Sequence, residues 1–220
     1  INVVPRGGIY LFPMIIYDGM LKYANFSPDI LQNIENRIGL QLQDVEDEER
    51  KENGFLAIDL IDYIYAVLHS VTYRDTYHDF LQNDFPTIPY PASAEYFFKM
   101  AEFGKRLRYL HELKGIDRKD LITTYPVIGE KDNNVVLIHK FEETNEGIGR
   151  VWINKEQYFD GVPLEAWNMI IAGYQPLEKW LKDRKDKHLT GNEIIHYQKM
   201  VVALVKKIRT QEEIDEIIEL

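Results

Sequence analysis

Apolar residues recur every three to four positions over long parts of the chain, and this spacing predicts amphipathic helices. One such part covers residues 55–69, and another follows Ser93 and ends near Gly115. A third apolar stripe lies in the C-terminal part of the chain, where Thr190 and Glu193 form the capping pair that starts a helix. Helices are therefore predicted on both sides of a central segment with a different pattern.

Shorter helices are indicated by the residues that start and end them. Ser27 and Pro28 mark a helix start, because Ser is a favoured N-cap and Pro fits the first turn. Gly39 marks the end of that helix, since Gly readily adopts the left-handed conformation found there. Thr72 and Asp75 have the spacing of a capping box and predict another helix. Two more short helices are predicted to start at prolines: Pro163 and Pro176.

The pattern changes between residues 121 and 160, where β-branched and aromatic residues form short runs separated by glycine and asparagine. Such runs predict short strands joined by turns. The three predicted strands are residues 122–128, 135–141 and 150–154. We expect them to form a small antiparallel sheet.

Prolines shape two further stretches. Residues 9–17 predict a buried strand, or a pair of short strands, interrupted at Pro13. Residues 83–91 contain three prolines and predict an ordered, extended connector that cannot be helical.

Together these elements predict an α+β fold, in which a small antiparallel β-sheet is inserted into a mainly helical framework. The expected parts are a helical block at about 27–113, the β insert at about 121–160 and a helical end at about 163–220. With 220 residues the chain can bury a substantial core, as one large domain or two small ones. We take the chain, which begins at Ile1, to be part of a longer polypeptide.

Composition and charge narrow the class of protein. The absence of cysteine suits a cytosolic protein, and no apolar run approaches the roughly 20 residues of a membrane span. The formal net charge of −10 argues, for the chain as a whole, against nucleic acid. The charge is uneven, however, because residues 44–52 and 210–220 carry −4 and −5 while 99–119 and 179–209 carry +4 and +6. Solvated helix faces are the simplest explanation of the two basic segments.

Catalytic motifs are missing from the sequence. It has no glycine-rich dinucleotide loop, P-loop, nucleophile elbow or zinc-protease helix, and no Asn/Asp-Pro-Pro-aromatic turn of adenine methyltransferases. The histidines are scattered, so we predict neither a metal site nor a catalytic residue. The triplets that begin at Asp117 and Asp183 match the acid–x–Lys pattern of one nuclease class, but neither ends a predicted strand. A Mg-dependent nuclease is therefore a remote alternative.

Polar and basic side chains are concentrated in residues 149–187, which also contain all three tryptophans. Asn, Gln, Lys and Arg are the side chains that contact bases and phosphates in protein–DNA complexes. The candidates are Asn154, Lys155, Gln157, Lys182, Arg184 and Lys185. On these residues alone the simpler explanation is structural, with amides that close a turn, solvated lysines and tryptophans that anchor the core.

Several long runs resemble, in the same order, the C-terminal specificity region of type ISP restriction–modification enzymes and related large adenine methyltransferases. They are DLIDYIYAVLHSVTYRDTYHDFL (59–81), NDFPTIPYP (83–91), FGKRLRYLHEL (103–113), GRVWINKEQYFDGVP (149–163), GYQPLEKWLKDRK (173–185) and IIHYQKMVVAL (194–204). The opening IYLFP (9–13) is similar to the stretch where the methyltransferase of this family gives way to the recognition domain. Residues 44–52 and 129–148 depart from the resemblance, so base-reading residues cannot be carried over.

The resemblance implies a parent polypeptide with a nuclease, an ATP-driven DNA translocase, an N6-adenine methyltransferase and this recognition domain. Residues 1–26 would be a junction from the methyltransferase module, and 27–220 the target-recognition domain. The chain would bind double-stranded DNA in the cytoplasm, with no membrane contact, no catalysis and no cofactor of its own. S-adenosylmethionine, ATP and Mg would belong to the other modules, with which it would also interact.

We therefore expect the chain to select a DNA sequence and to present it to the methyltransferase. Phosphates would be contacted by Lys155, Lys182, Arg184 and Lys185, and bases by Asn154, Gln157 and loops of the β insert. The acidic segments would face away from DNA or towards sister modules. The alternative is an interdomain scaffold that couples methyltransferase and translocase with little base contact.

Overall fold

Helices are the main elements of the structure, a computed structural model that describes residues 11–126 and 133–220. They are α1 (Pro28–Ile38), α2 (Ala57–His69), α3 (Val71–Thr76), α4 (His78–Asn83), α5 (Ala94–His111), α6 (Leu164–Asn168), α7 (Pro176–Lys182) and α8 (Gly191–Asp215), with a short 3-10 helix at Arg118–Asp120. Within these two described ranges, no helix is long and apolar enough to cross a membrane.

The strands form three small sheets. They are β1 (Ile15–Asp18), β2 (Leu21–Ala24), β3 (Gln41–Leu42), β4 (Gly54–Phe55), β5 (Lys140–Asn145), β6 (Ile148–Trp152) and β7 (Tyr158–Pro163). β1 and β2 form an antiparallel hairpin, and β3 and β4 form a short parallel pair. β5, β6 and β7 form an antiparallel sheet in that order. The prediction of an α+β fold with a small antiparallel sheet is therefore confirmed.

Contacts divide the chain into two compact units. Unit 1 comprises Ile1–Arg108 and Thr210–Leu220, and unit 2 comprises Tyr109–Arg209. Unit 1 contains 10 Lys/Arg and 21 Asp/Glu, a formal charge of −11, whereas unit 2 contains 16 and 15, a formal charge of +1. The net negative charge of the chain thus lies in unit 1. The domain boundaries proposed from the sequence, at 1–26 and 27–220, stay a prediction.

In unit 1, α2 and α5 approach closely at Gly104. A Cβ added at Gly104 would lie 1.7 Å from the carbonyl oxygen of Asp62. One turn further along α5, Arg108 donates two hydrogen bonds of 2.8 Å to the carboxylate of Asp62, whose side chain is only 3% exposed. Burying an unpaired carboxylate costs free energy, so the pairing with Arg108 is what allows Asp62 to be buried where the two helices meet.

The N-terminus of α3 is capped from two directions. The hydroxyl of Ser70 accepts a hydrogen bond of 2.9 Å from the N–H of Tyr73, and it donates one of 2.5 Å to the carboxylate of Asp215. Asp215 also accepts from the N–H groups of Val71 and Thr72, each at 3.2 Å. The prediction that Thr72 caps this helix is therefore wrong, because the buried hydroxyl of Ser70 takes that role. Asp215, which belongs to the acidic C-terminal segment, is a second capping group at the same helix N-terminus.

The proline-rich connector of unit 1 is extended over residues 85–91, which form neither helix nor strand, whereas Asn83 of the predicted range 83–91 is the last residue of α4. Two buried tyrosines hold it in place. The hydroxyl of Tyr63 donates to the carbonyl oxygen of Pro89 at 2.9 Å, and that of Tyr73 donates to the carbonyl oxygen of Thr87 at 2.8 Å. The rings themselves pack in the core of unit 1.

In unit 2, the inner face of the β5–β6–β7 sheet packs against α8. Alternate residues of β6 and β7, such as Val151 and Phe159, are fully buried, as the two-residue period of a strand requires. The ring centroid of Phe159 lies 4.2 Å from that of Tyr197 on α8. Thr190 and Glu193 form the predicted capping box at the start of α8.

Strand positions differ most from the sequence prediction. Of 122–128, only Thr124 pairs, in a single bridge with Asp160, and residues 127 and 128 lie outside the described residues. In 135–141 the regular strand begins only at Lys140, while β7 was not predicted. Within 9–17 the described residues form β1 and its approach, and Tyr17 is 69% exposed rather than buried. A two-stranded hairpin has no second layer of its own to cover its faces.

Candidate nucleic-acid interface

Residues 133–138, which we call the central segment, run between two loops of unit 2 that carry five of the six candidate residues, while Lys182 is the last residue of α7. On one side, Val136 exchanges backbone hydrogen bonds of 2.8 and 3.0 Å with the loop 183–189. On the other side, the carbonyl oxygen of Ile153 accepts bonds of 2.7 and 2.9 Å from two successive N–H groups of the segment. The residues that follow β6 and those that follow α7 are therefore brought to the two sides of one ordered segment.

Asn154 closes the turn between β6 and β7. Its Oδ1 accepts hydrogen bonds from the N–H groups of Glu156 and Gln157, at 2.9 and 2.8 Å. Its Nδ2 donates to the carbonyl oxygens of Asn133 and Val135, at 2.8 and 3.0 Å. The side chain is 2% exposed. A base contact by Asn154 stays a prediction, and it would require this buried amide to exchange four internal bonds for new ones.

Gln157 follows in the same turn and is also buried, with 1% of its surface exposed. Both amide atoms lack a hydrogen-bond partner within the described part of the chain. An unsatisfied buried amide lowers stability, because its desolvation is not compensated. The contact with DNA predicted for Gln157 is untested, and the observed position does not expose the amide to a duplex.

Arg184 is held by three groups of unit 2. Its Nε lies 3.1 Å from Oε1 of Glu193, and its Nη1 donates to the carbonyl oxygen of Trp180 at 3.3 Å. The guanidinium carbon lies 3.6 Å from the ring centroid of Trp180, a close cation–π contact. Hydrogen bonds from Thr190, first its N–H and then its hydroxyl, lower the pKa of Glu193, and Arg184 lowers it further. Arg184 thus links the end of α7 to the start of α8.

Lys182 is exposed but paired. Its Nζ lies 2.9 Å from Glu178, one turn earlier on α7. Lys179 similarly lies 2.6 Å from Asp183, one of the two acids considered for a nuclease. Exposed pairs of this kind contribute little to stability and can exchange partners. A phosphate could therefore compete for Lys182, whose predicted contact with DNA stays a prediction.

Lys155 and Lys185 are the candidates with the least internal engagement. Both are exposed, and neither forms an ion pair with a residue in the described ranges. They lie in the two loops on opposite sides of the central segment, and Lys187 lies in the same loop as Lys185. We call Lys155, Lys185 and Lys187 the flanking lysines. The ammonium groups of Lys155 and Lys185 are available to bind phosphates. That of Lys187 donates one long hydrogen bond of 3.5 Å to the carbonyl oxygen of Asp183, which a phosphate could replace.

The nuclease alternative gains no geometric support from the described residues. Asp117 precedes the 3-10 helix, where its N–H donates to Asp120 at 2.8 Å. Asp183 pairs with Lys179 at the end of α7. No group of three or more potential metal ligands is found within residues 11–126 and 133–220.

The three tryptophans have different surroundings. Trp167 is buried and stacks on Phe141, as expected of a core anchor. Trp180 supports Arg184, and Trp152 lies on the outer face of the sheet with its ring centroid 4.5 Å from that of Tyr158. Only Trp167 is therefore part of the fully buried core.

Two exposed aliphatic residues of the central segment, Leu137 and Ile138, were not among the candidates predicted from the sequence. They fall in the run 135–141, where a regular strand was predicted and alternate side chains would be buried. The signal that could have drawn attention to them is the unbroken apolar sequence VVLI, although apolar runs usually indicate burial.

Comparisons with known proteins place this chain in a family. The family model of the type ISP C-terminal specificity domain matches residues 1–220. None of the curated protein sequences compared with the chain matches it.

Two solved structures share the fold. The first, the cryo-EM structure of a DrdV–DNA complex, is 18% identical with a TM-score of 0.63, and the match covers 94% of this chain and 21% of that one. The second, the ATP-dependent type ISP restriction–modification enzyme LlaBIII bound to DNA, is 18% identical with a TM-score of 0.55, with 91% and 12% covered. The chain thus spans only a small part of these relatives. From the match over its whole length, we conclude that this chain belongs to the family of type ISP C-terminal specificity domains.

Proposed function

We propose that this chain recognises a sequence in duplex DNA through unit 2 and presents that site to an N6-adenine methyltransferase module of the same polypeptide. The observation that carries the proposal is the placement of exposed lysines on both sides of the ordered central segment. Membership of a specificity-domain family and the DNA-bound state of the two solved relatives support it.

The distribution of charge supports a contact through unit 2. Unit 1 has a formal charge of −11 and would be repelled by DNA, whereas unit 2 has a charge of +1. Within unit 2 many cations are neutralised by neighbouring carboxylates, as Lys182 and Arg184 are. The flanking lysines would thus provide the main phosphate contacts, each of which releases counterions from the duplex.

The chain itself would be non-catalytic and would bind no cofactor, since S-adenosylmethionine, ATP and Mg would act in other modules of the polypeptide. A methyltransferase that flips its target base needs the duplex held in a fixed register, which a separate recognition domain can provide. Such a protein acts where DNA is, so we place it in the cytoplasm.

Equilibrium binding to duplex DNA over a range of salt concentrations tests the proposal. The chain should enrich a sequence motif from a pool of random duplexes and bind that motif more tightly than unrelated DNA. The double variant Lys155→Glu/Lys185→Glu should lose affinity for all duplexes and reduce the slope of log K against log salt by about 1.8, at ~0.9 per phosphate contact.

A matched control is Lys99→Glu/Lys119→Glu, which makes the same charge change at two other exposed lysines. For this control variant, the slope of log K against log salt should stay close to that of the wild-type chain. Equally weak, salt-insensitive binding of the wild-type chain to enriched and unrelated duplexes would contradict direct recognition.

The scaffold alternative predicts a different result in the full polypeptide. There, Lys155→Glu/Lys185→Glu would disturb the assembly of modules while leaving the choice of methylation site unchanged. Recognition predicts that adenine methylation at the target sites is lost while the modules remain assembled. Mapping of methylated adenines, together with the compactness of the full polypeptide in solution, separates the two.

A further inference from the structure

Leu137 and Ile138 are successive residues, yet both side chains are exposed, at 53% and 41%. In a regular strand, neighbouring side chains point to opposite faces. Val136, just before them, is buried at 1%. Two residues later Lys140 is exposed, as the alternation from Ile138 predicts.

A β-bulge explains the irregularity. The N–H groups of Leu137 and Ile138 both donate to the carbonyl oxygen of Ile153, at 2.7 and 2.9 Å. Two residues opposite one is the arrangement of a bulge, which places an extra residue in the ladder and changes the direction of a side chain. The bulge therefore holds two adjacent aliphatic side chains outward on a backbone that is hydrogen-bonded on both sides.

The surroundings of this aliphatic pair are polar and partly cationic. Lys155 follows the turn on one side, and Lys185 and Lys187 lie in the loop on the other. Three carboxylates, Glu156, Asp183 and Asp186, lie in the same two loops, and Arg184 is a fourth cation there, so the flanks carry four cations and three anions. The apolar pair is thus set between positive groups, which suits an anionic partner with an apolar feature at its centre.

We propose that Leu137 and Ile138 are specificity-determining residues that contact a thymine methyl group in the major groove, while the flanking lysines bind the phosphates on either side. This inference rests on the proposed DNA-recognition function. The thymine 5-methyl is the apolar group that base pairs present on the floor of the major groove. Elsewhere an aliphatic side chain would desolvate base donors and acceptors without replacing their hydrogen bonds.

The spacing of the two flanking loops matches the width of the groove. The central segment is paired with the residues after β6 on one side and with loop 183–189 on the other. Neighbouring paired backbones lie about 5 Å apart, so the two loops lie about 10 Å apart. The major groove is about 12 Å wide, so the central segment would face its floor while lysine side chains from the two loops contact the phosphates along its two edges.

The test uses the motif that the wild-type chain enriches from random duplexes. Affinity is measured for that duplex and for versions in which each thymine in turn is replaced by deoxyuridine, which removes only the methyl group. For the wild-type chain, at least one replacement should weaken binding about fourfold, the loss expected for one buried methyl group.

The double variant Leu137→Ala/Ile138→Ala should bind the thymine and uracil duplexes equally while keeping the wild-type salt slope. A matched control, Ile148→Ala/Ile170→Ala, removes two other exposed aliphatic side chains, at 43% and 67% exposure. This control should discriminate between thymine and uracil as the wild type does. All substituted residues are exposed, and unchanged thermal unfolding confirms that the variants are folded.

Three outcomes would overturn the inference while leaving DNA recognition intact: an enriched motif without thymine, a wild-type chain that binds every uracil duplex as tightly as the thymine duplex, or a double variant that still discriminates thymine from uracil. In the third case, a loss of affinity that is equal on both duplexes would indicate an apolar wedge between bases instead of a methyl contact. If the wild-type chain enriches no motif, the proposed function itself fails and this inference fails with it.

Discussion

Replacing Arg184 separates a structural role from a DNA-binding role, because the structure and the sequence assign this residue differently. The sequence suggested a phosphate contact, whereas the guanidinium lies 3.6 Å from the Trp180 ring centroid and 3.1 Å from the carboxylate of Glu193. We expect Arg184→Ala to destabilise the chain and to leave the DNA affinity of the folded protein close to that of the wild type.

The magnitude follows from these contacts. The cation–π contact contributes about 0.5–1 kcal/mol, and the partly exposed ion pair about 0.2–1 kcal/mol. Arg184→Ala should therefore lower the free energy of unfolding by about 1–2 kcal/mol. For a chain of this size, that corresponds to a fall of about 2–8 °C in the midpoint of thermal unfolding.

Thermal unfolding followed by circular dichroism measures this change, and a double-mutant cycle with Glu193→Gln isolates the coupling between the two side chains. Lys185→Ala is the matched control, since it removes a neighbouring exposed cation. It should leave the midpoint unchanged and weaken DNA binding. Unchanged stability of Arg184→Ala, together with a loss of DNA affinity as large as that of Lys185→Ala, would refute the reasoning.

Three further substitutions test the packing of the two units. Gly104→Ala should prevent the close approach of α2 and α5, because its Cβ would lie 1.7 Å from the carbonyl oxygen of Asp62. Chemical denaturation should show that the free energy of unfolding falls by several kcal/mol, and an unchanged denaturation midpoint would contradict this. Tyr197→Phe should stabilise unit 2 by about 1 kcal/mol, since the Tyr197 hydroxyl is buried without a hydrogen-bond partner among the described residues; a lower midpoint would show that the hydroxyl is satisfied. Asp215→Asn should remove the charge that caps α3 and cost about 1 kcal/mol, measured by thermal unfolding against Glu216→Gln as a control.

Helices were predictable from the sequence where local signals determine them. The apolar stripe and the capping pair Thr190 and Glu193 act within a few residues, and α8 begins where they indicate. The start of α3 was not predictable in this way. Its cap depends on Asp215, which lies 145 positions from Ser70 in the sequence, and no local pattern reports such a contact.

The candidate site was predictable only in part, because exposure depends on tertiary packing. The sequence indicated the stretch that contains Lys155 and Lys185, both of which are exposed. It did not distinguish them from Asn154, which is buried and engaged in a turn. The exposed aliphatic pair depends on a bulge opposite Ile153, and pairing across strands is not encoded in the pattern of one strand alone.

The tyrosine hydroxyls that hold the connector of unit 1 have a consequence for protease resistance. Extended surface segments are common sites of cleavage, because a protease must draw several residues into its active site. Here the carbonyl oxygens of Thr87 and Pro89 are bonded to phenols whose rings lie in the core. Local opening of the connector would break both bonds, so residues 83–91 should survive limited proteolysis in the native protein. Tyr73→Phe, which frees one carbonyl oxygen and retains the ring, should speed cleavage there.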